Sequence, residues 1–125
     1  MQIIVHNGHC PNKCSAAWNL TTGSSSIDVA VVDVAVETGH PDLIGNMEPG
    51  FDVADNDNNP NPPNSTFNHG THVAGIVAAK TNNGIGISSI GWNIDIIPVK
   101  TEGDNGSSSS ISFGYEGITC GAKWG

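Results

Sequence analysis

Residues 68–79 read Asn-His-Gly-Thr-His-Val-Ala-Gly-Ile-Val-Ala-Ala. A tight polar start runs straight into an apolar stretch made mostly of small residues. Small side chains let a neighbouring layer come close, so the pattern predicts a buried helix over 69–80 with His69 at its mouth. A histidine held there has one ring edge free, which suits proton transfer better than packing.

Two β-branched runs flank that helix. Ile27-Asp28-Val29-Ala30-Val31-Val32-Asp33 and Ile94-Asp95-Ile96-Ile97-Pro98-Val99-Lys100 read as strands buried on both faces of a parallel sheet. Residues 52–68, rich in Asp, Asn and Pro, read as a surface loop, and so does Thr81-Asn82-Asn83-Gly84-Ile85-Gly86-Ile87. Gly103 to Ser110 reads as a flexible polar loop. Residues 111–123 have helical spacing that puts Ile111, Tyr115, Ile118 and Ala122 on one face. Strand, loop, helix, loop, strand, loop, helix is the opening of an α/β fold: a parallel sheet with flanking helices in three α/β/α layers. The chain reads as one partial domain over 1–125, with 1–15 as an N-terminal arm.

Lys and Arg total 4 against 12 Asp and Glu, a net charge of -8. Phosphate contacts need clustered cations, so nucleic acid is not an expected partner. No apolar run reaches the ~18–20 residues of a membrane span. Residues 1–9 lack a basic start and a long apolar stretch, so no signal peptide is expected in this sequence; either a precursor segment precedes it or the protein is cytosolic. Cys10, Cys14 and Cys120 allow one internal disulfide at most, which excludes a disulfide scaffold. His6, His9, Cys10 and Cys14 offer four borderline ligands without a standard zinc spacing; a Cys10–Cys14 bridge and a loose arm are the other readings of that segment.

Asp33 ends one strand, at the sheet edge where α/β enzymes place their sites, and His69 opens the helix. An aspartate that fixes a histidine tautomer is the base half of a Ser-His-Asp system. Val29-Ala30-Val31-Val32-Asp33, His40-Pro41-Asp42-Leu43 and Asn68-His69-Gly70-Thr71-His72-Val73-Ala74-Gly75 together resemble the subtilisin-like serine proteases. The resemblance continues through Thr81–Ile87 and Ile97-Pro98-Val99-Lys100, and covers about 16–124. It implies a serine endopeptidase acting on proteins or peptides, with Asp33 as orienting acid, His69 as general base and His72 as a structural histidine.

The same resemblance implies calcium, held by Asp42, Asn83 and the carbonyls of Ile85 and Ile87. A second calcium site is implied at Asp52, Asp55 and Asp57, where some heat-stable members carry similar acid spacing. Gly106, Ser107 and Ser108 match the segment that pairs with the substrate backbone as an added strand. The family is usually secreted.

The sequence departs from the family in two ways. Val34 and Ala35 follow Asp33 where the family has a hydroxyl residue and a glycine. The expected oxyanion asparagine and Gly-Thr-Ser-Met-Ala motif have no counterpart, since the serines cluster in loops at 24–26, 88–89 and 107–110. The expectation is that the chain as given is inactive alone. The rival readings are a non-catalytic calcium-binding or interaction domain and an incomplete fragment.

Overall fold

The computed structural model describes residues 14–124. Helix α1 (Cys14–Trp18) leads to strand β1 (Asp28–Asp33), short strand β2 (Phe51–Asp52), helix α2 (His69–Ala78), strand β3 (Asp95–Lys100) and helix α3 (Gly114–Gly121). The sheet is parallel, in the order β1-β3-β2. Asp33 pairs in register with Lys100, and Asp52 pairs with Lys100 from the other side. All three strands therefore end together at one edge.

Alternation along β1 assigns the layers. Val31 packs with Ala74 and Ala78 of α2, together with Val36, Leu43, Ala79 and Ile96. Val32 and Ala30 point the other way, against Gly117 and Gly121 of α3. The result is helix, sheet, helix, as the sequence implied. The strands differ from expectation, however. Only Val31 and Asp33 of β1 are buried, so β1 is not covered on both faces, whereas β3 is buried from Ile96 to Lys100.

Helix α2 stops at Ala78 and buries a single stripe, Gly70, Ala74 and Ala78, while Ile76 and His72 face outward. Helix α3 reverses the expected face. Tyr115 is 87% exposed and Ile111 and Ile118 are exposed too, while the buried positions are Gly117 and Gly121. A Cβ at Gly117 would lie 2.5 Å from Thr101 and 2.6 Å from Val32, so only glycine lets this helix sit so low on the sheet.

Pro98 lies in the central strand, where a missing N–H ordinarily breaks the ladder. Ile96 directs its N–H to the Asn46 carbonyl, on the β2 side. Pro98, two residues on, directs its absent N–H the same way. There β2 has not begun, and Gly50 packs against the Pro98 ring and carbonyl. Trp18 anchors α1, with its ring 5.1 Å from that of Trp92 and its indole N–H on the Ile90 carbonyl.

Candidate active site

The end of β1 and the first turn of α2 meet at Asp33 and His69. His69 Nδ1 lies 3.0 Å from Oδ1 and 2.8 Å from Oδ2 of Asp33. Asp33 is buried, whereas the His69 side chain is 69% exposed. One ring nitrogen is thus fixed by a buried carboxylate, and among the described residues nothing hydrogen-bonds Nε2. The local sequence makes this contact possible. A Cβ at position 70 would collide with the Ala35 carbonyl and lie 2.8 Å from Asp33 Cβ, so Gly70 permits α2 to start against the carboxylate. A helix N-terminus also favours the negative charge placed there.

Val34 does not cost Asp33 its support. The Val34 backbone N–H donates to Oδ1 at 2.7 Å, and Ala35 is fully buried beside it. Sequence reasoning missed a further support, Thr101. Both its N–H and its hydroxyl donate to the Asp33 carbonyl, each at 2.9 Å. The signal was available in the register: Thr101 directly follows the partner of Asp33 in β3. His72 is exposed and takes no part in this contact.

Asp42 and Asn83 lie side by side. Asp42 is 5% exposed. Its Oδ1 accepts Asn83 Nδ2 at 2.8 Å and its Oδ2 accepts the Ile87 N–H at 2.8 Å. Asn83 Oδ1 caps the Ile85 N–H at 3.1 Å. Gly86, at φ +57°, lies against the carboxylate with no room for a Cβ. Among the described residues no cation pairs with Asp42. A buried carboxylate with only neutral donors and an amide side chain beside it is a group whose charge a hard cation would offset.

The second expected calcium ligand set, Asp52, Asp55 and Asp57, is only partly brought together. Asp52 is fully buried, not in a surface loop, and Lys100 Nζ lies 2.6 Å from its Oδ2. The same ammonium lies 3.5 Å from Asp55 and 2.5 Å from Asp104. Asp57 stands apart: its backbone pairs with Asp52 and its carboxylate caps the Asn59 N–H. The cluster is therefore Asp52, Asp55 and Asp104, and Lys100 supplies its cation. With the Lys100 ammonium among them, these carboxylates already have a counter-charge. Burial works to lower the Lys100 pKa, but the hydrogen bonds and charges of Asp104 and Asp52 outweigh it and raise it.

Gly106, Ser107 and Ser108 are not extended. The Gly106 N–H turns back to the Gly103 carbonyl and the Ser110 N–H to the Ser107 carbonyl. Ser108 makes no hydrogen bond to any described residue, so its backbone groups stay available. The zinc or disulfide readings at His6, His9 and Cys10 lie outside the described residues, and Cys14 forms no disulfide with any described residue.

Residues 24–116 match the Subtilase family, Peptidase S8. A thermophilic serine proteinase of Bacillus sp. (strain AK1) is 48% identical over 91 residues, covering 73% of this chain and 22% of that protein. Thermitase of Thermoactinomyces vulgaris is 40% identical over 117 residues, 92% of this chain and 40% of that protein. The chain thus spans well under half the length of these relatives. Among solved structures, a protease of Pseudoalteromonas arctica superposes with a TM-score of 0.62 at 34% identity, over 78% of this chain and 36% of that one. The Aeromonas sobria serine protease, solved with its chaperone, gives 0.57 at 31% identity, over 70% of this chain and 15% of that one. A parallel sheet whose first strand ends in an aspartate bonded to a helix-opening histidine, matched over most of its length, makes this chain a member of the subtilase family.

Proposed function

We propose that Asp33 and His69 form the acid–base half of a serine endopeptidase that hydrolyses peptide bonds in proteins. The observation that carries this reading is the Nδ1 contact to both Asp33 oxygens with the opposite ring edge open. Asp33 holds the imidazole with its proton on Nδ1 and steadies the imidazolium. Nε2 then takes the proton from a serine hydroxyl attacking the carbonyl carbon and gives it to the leaving amine. Water clears the acyl-enzyme by the same route. The serine is the partner this proposal requires.

The substrate backbone is proposed to pair with Gly106, Ser107 and Ser108, a reading supported by the unused backbone groups of Ser108. Calcium is proposed as a structural ion at Asp42 and Asn83 with the Ile85 and Ile87 carbonyls. It would neutralise the buried Asp42 charge and stiffen the loop behind α2. Two relatives are named as extracellular proteases, those of Natrialba magadii and Dichelobacter nodosus, and secretion is proposed for this protein as well.

The test uses protein expressed from the whole reading frame. Hydrolysis of an unstructured protein and time-dependent labelling of a serine by a fluorophosphonate are expected. Both should fall by roughly 10³-fold or more in His69→Ala. Hydrolysis or labelling that survives His69→Ala unchanged overturns the proposal.

A further inference from the structure

Glu102 lies one residue beyond Thr101, on the chain leaving the active-site edge of β3. It is 6% exposed, and among the described residues no cation pairs with it. A carboxylate removed from water without a counter-ion needs several hydrogen-bond donors. Here all of them come from one stretch of serines. Oε2 accepts the Ser112 hydroxyl at 2.6 Å, the Ser110 hydroxyl at 3.0 Å and the Ser112 N–H at 3.1 Å. On the other side Gly106 packs against Oε1 so closely that a Cβ there would collide with it. The segment closes on itself, since the Phe113 N–H bonds the Thr101 carbonyl at 3.1 Å. Residues 102–112 therefore form a compact loop with neighbouring ends, filled by the side chain of its own first residue.

We infer that Glu102 is the positioning residue of this loop: its carboxylate gathers Gly106, Ser110 and Ser112 and so fixes where the backbone of 106–108 is presented. Without that anion the serine-rich run has no apolar side chain between Gly103 and Ser110 to hold it. The turn at Gly103–Gly106 would then rest on one backbone bond, and that at Ser107–Ser110 on one backbone bond and local serine contacts, Ser110 Oγ to the Ser107 carbonyl and the Ser109 N–H to Ser107 Oγ, each at 3.3 Å. The Lys100–Asp104 contact pins only the near end of the loop. The inference assigns the loop its order. That the ordered loop receives a substrate backbone rests on the reading proposed above.

Two readouts separate those claims. Hydrogen exchange of the amides of 103–112 is compared in the whole protein and in its Glu102→Ala and Glu102→Gln variants, with the amides of β1 and β3 as internal controls. Exchange in the loop is expected to rise about tenfold or more in Glu102→Ala, with the strands unchanged. Glu102→Gln keeps one acceptor oxygen for the serine donors and should recover part of the protection, which simple loss of packing would not predict. Ser112→Ala, a mild change at the loop's end, should loosen the loop in the same direction. Unchanged loop exchange in both Glu102→Ala and Ser112→Ala overturns the inference. So does Glu102→Gln no better protected than Glu102→Ala. Binding of a tetra-alanine peptide amide is measured on the same samples. Weaker binding in step with loosening supports both claims. Loosening with unchanged binding supports the role of Glu102 and overturns the substrate reading alone.

Discussion

Replacing Lys100 by Met removes the cation from a cluster that has no other among the described residues. The side chains of Lys100 and Asp52 are each 1% exposed, whereas Asp55 and Asp104 are 41% and 53% exposed. The two exposed partners contribute at most about 1 kcal/mol each. The main effect is the buried Asp52 carboxylate left alone, a loss of about 3–5 kcal/mol when one member of a buried pair is removed. Asp52 keeps the N–H groups of Ala54 and Asp55 at 2.9 and 3.0 Å, which favours the lower end, about 3 kcal/mol. Such a loss lowers the Tm of a domain this size by roughly 10–20 °C. Urea unfolding followed by tryptophan fluorescence reads it out. Adding Asp52→Asn to Lys100→Met should recover at least half of the loss, because the stranded charge is gone while an acceptor remains. A loss under about 1 kcal/mol in Lys100→Met, or no recovery in the double variant, refutes the reasoning. The single variant should also bind calcium at the vacated carboxylates.

The other predictions follow from particular contacts. Gly70→Ala should destabilise the protein by about 1–3 kcal/mol and break the His69–Asp33 contact, because its Cβ meets the Ala35 carbonyl; unfolding and histidine NMR check both effects. Calcium at about 100 times its Kd should stabilise the protein by about 2.7 kcal/mol, and Asp42→Asn should abolish this gain in a thermal melt with and without chelator. Serine hydroxyls hold the Glu102 carboxyl below its ordinary 4.5 against the opposing effect of burial. Its contribution should be complete above that value and vanish as pH falls through the lower folded pKa, so loop exchange should rise at acid pH in the wild type but not in Glu102→Gln. The raised Lys100 pKa has the opposite sense: its contribution is complete below 10.5 and lost only as pH rises through the higher folded value, which alkaline unfolding tests.

How much of this the sequence carried depended on the range of the signal. The β-branched runs of β1 and β3 and the small-residue run of α2 are local patterns, and they placed Asp33 and His69 at the same sheet edge. Helix α3 misled because its buried face is Gly117 and Gly121, which carry no hydrophobic signal, so the periodicity of Tyr115 and Ile118 marked the exposed face instead. The 52–68 stretch read as loop because its acids look solvated. The partner that buries Asp52 is Lys100, 48 residues away. The Val34 N–H on Asp33 was equally invisible, since a backbone donor leaves no mark on residue type. Glu102 leaves no mark in the sequence for a related reason, because its serine partners read as a flexible low-complexity run.

The proposed function requires that Asp33 fix the proton of His69 on Nδ1 and leave Nε2 as the free base. Nitrogen-15 NMR of the His69 ring tests it directly, in the wild type and in Asp33→Asn. Free histidine favours the Nε2–H form. Neutral His69 is expected in the Nδ1–H form, with a strongly deshielded Nδ1 proton that is lost in Asp33→Asn. A neutral ring protonated on Nε2, or a spectrum that Asp33→Asn leaves unchanged, would contradict it.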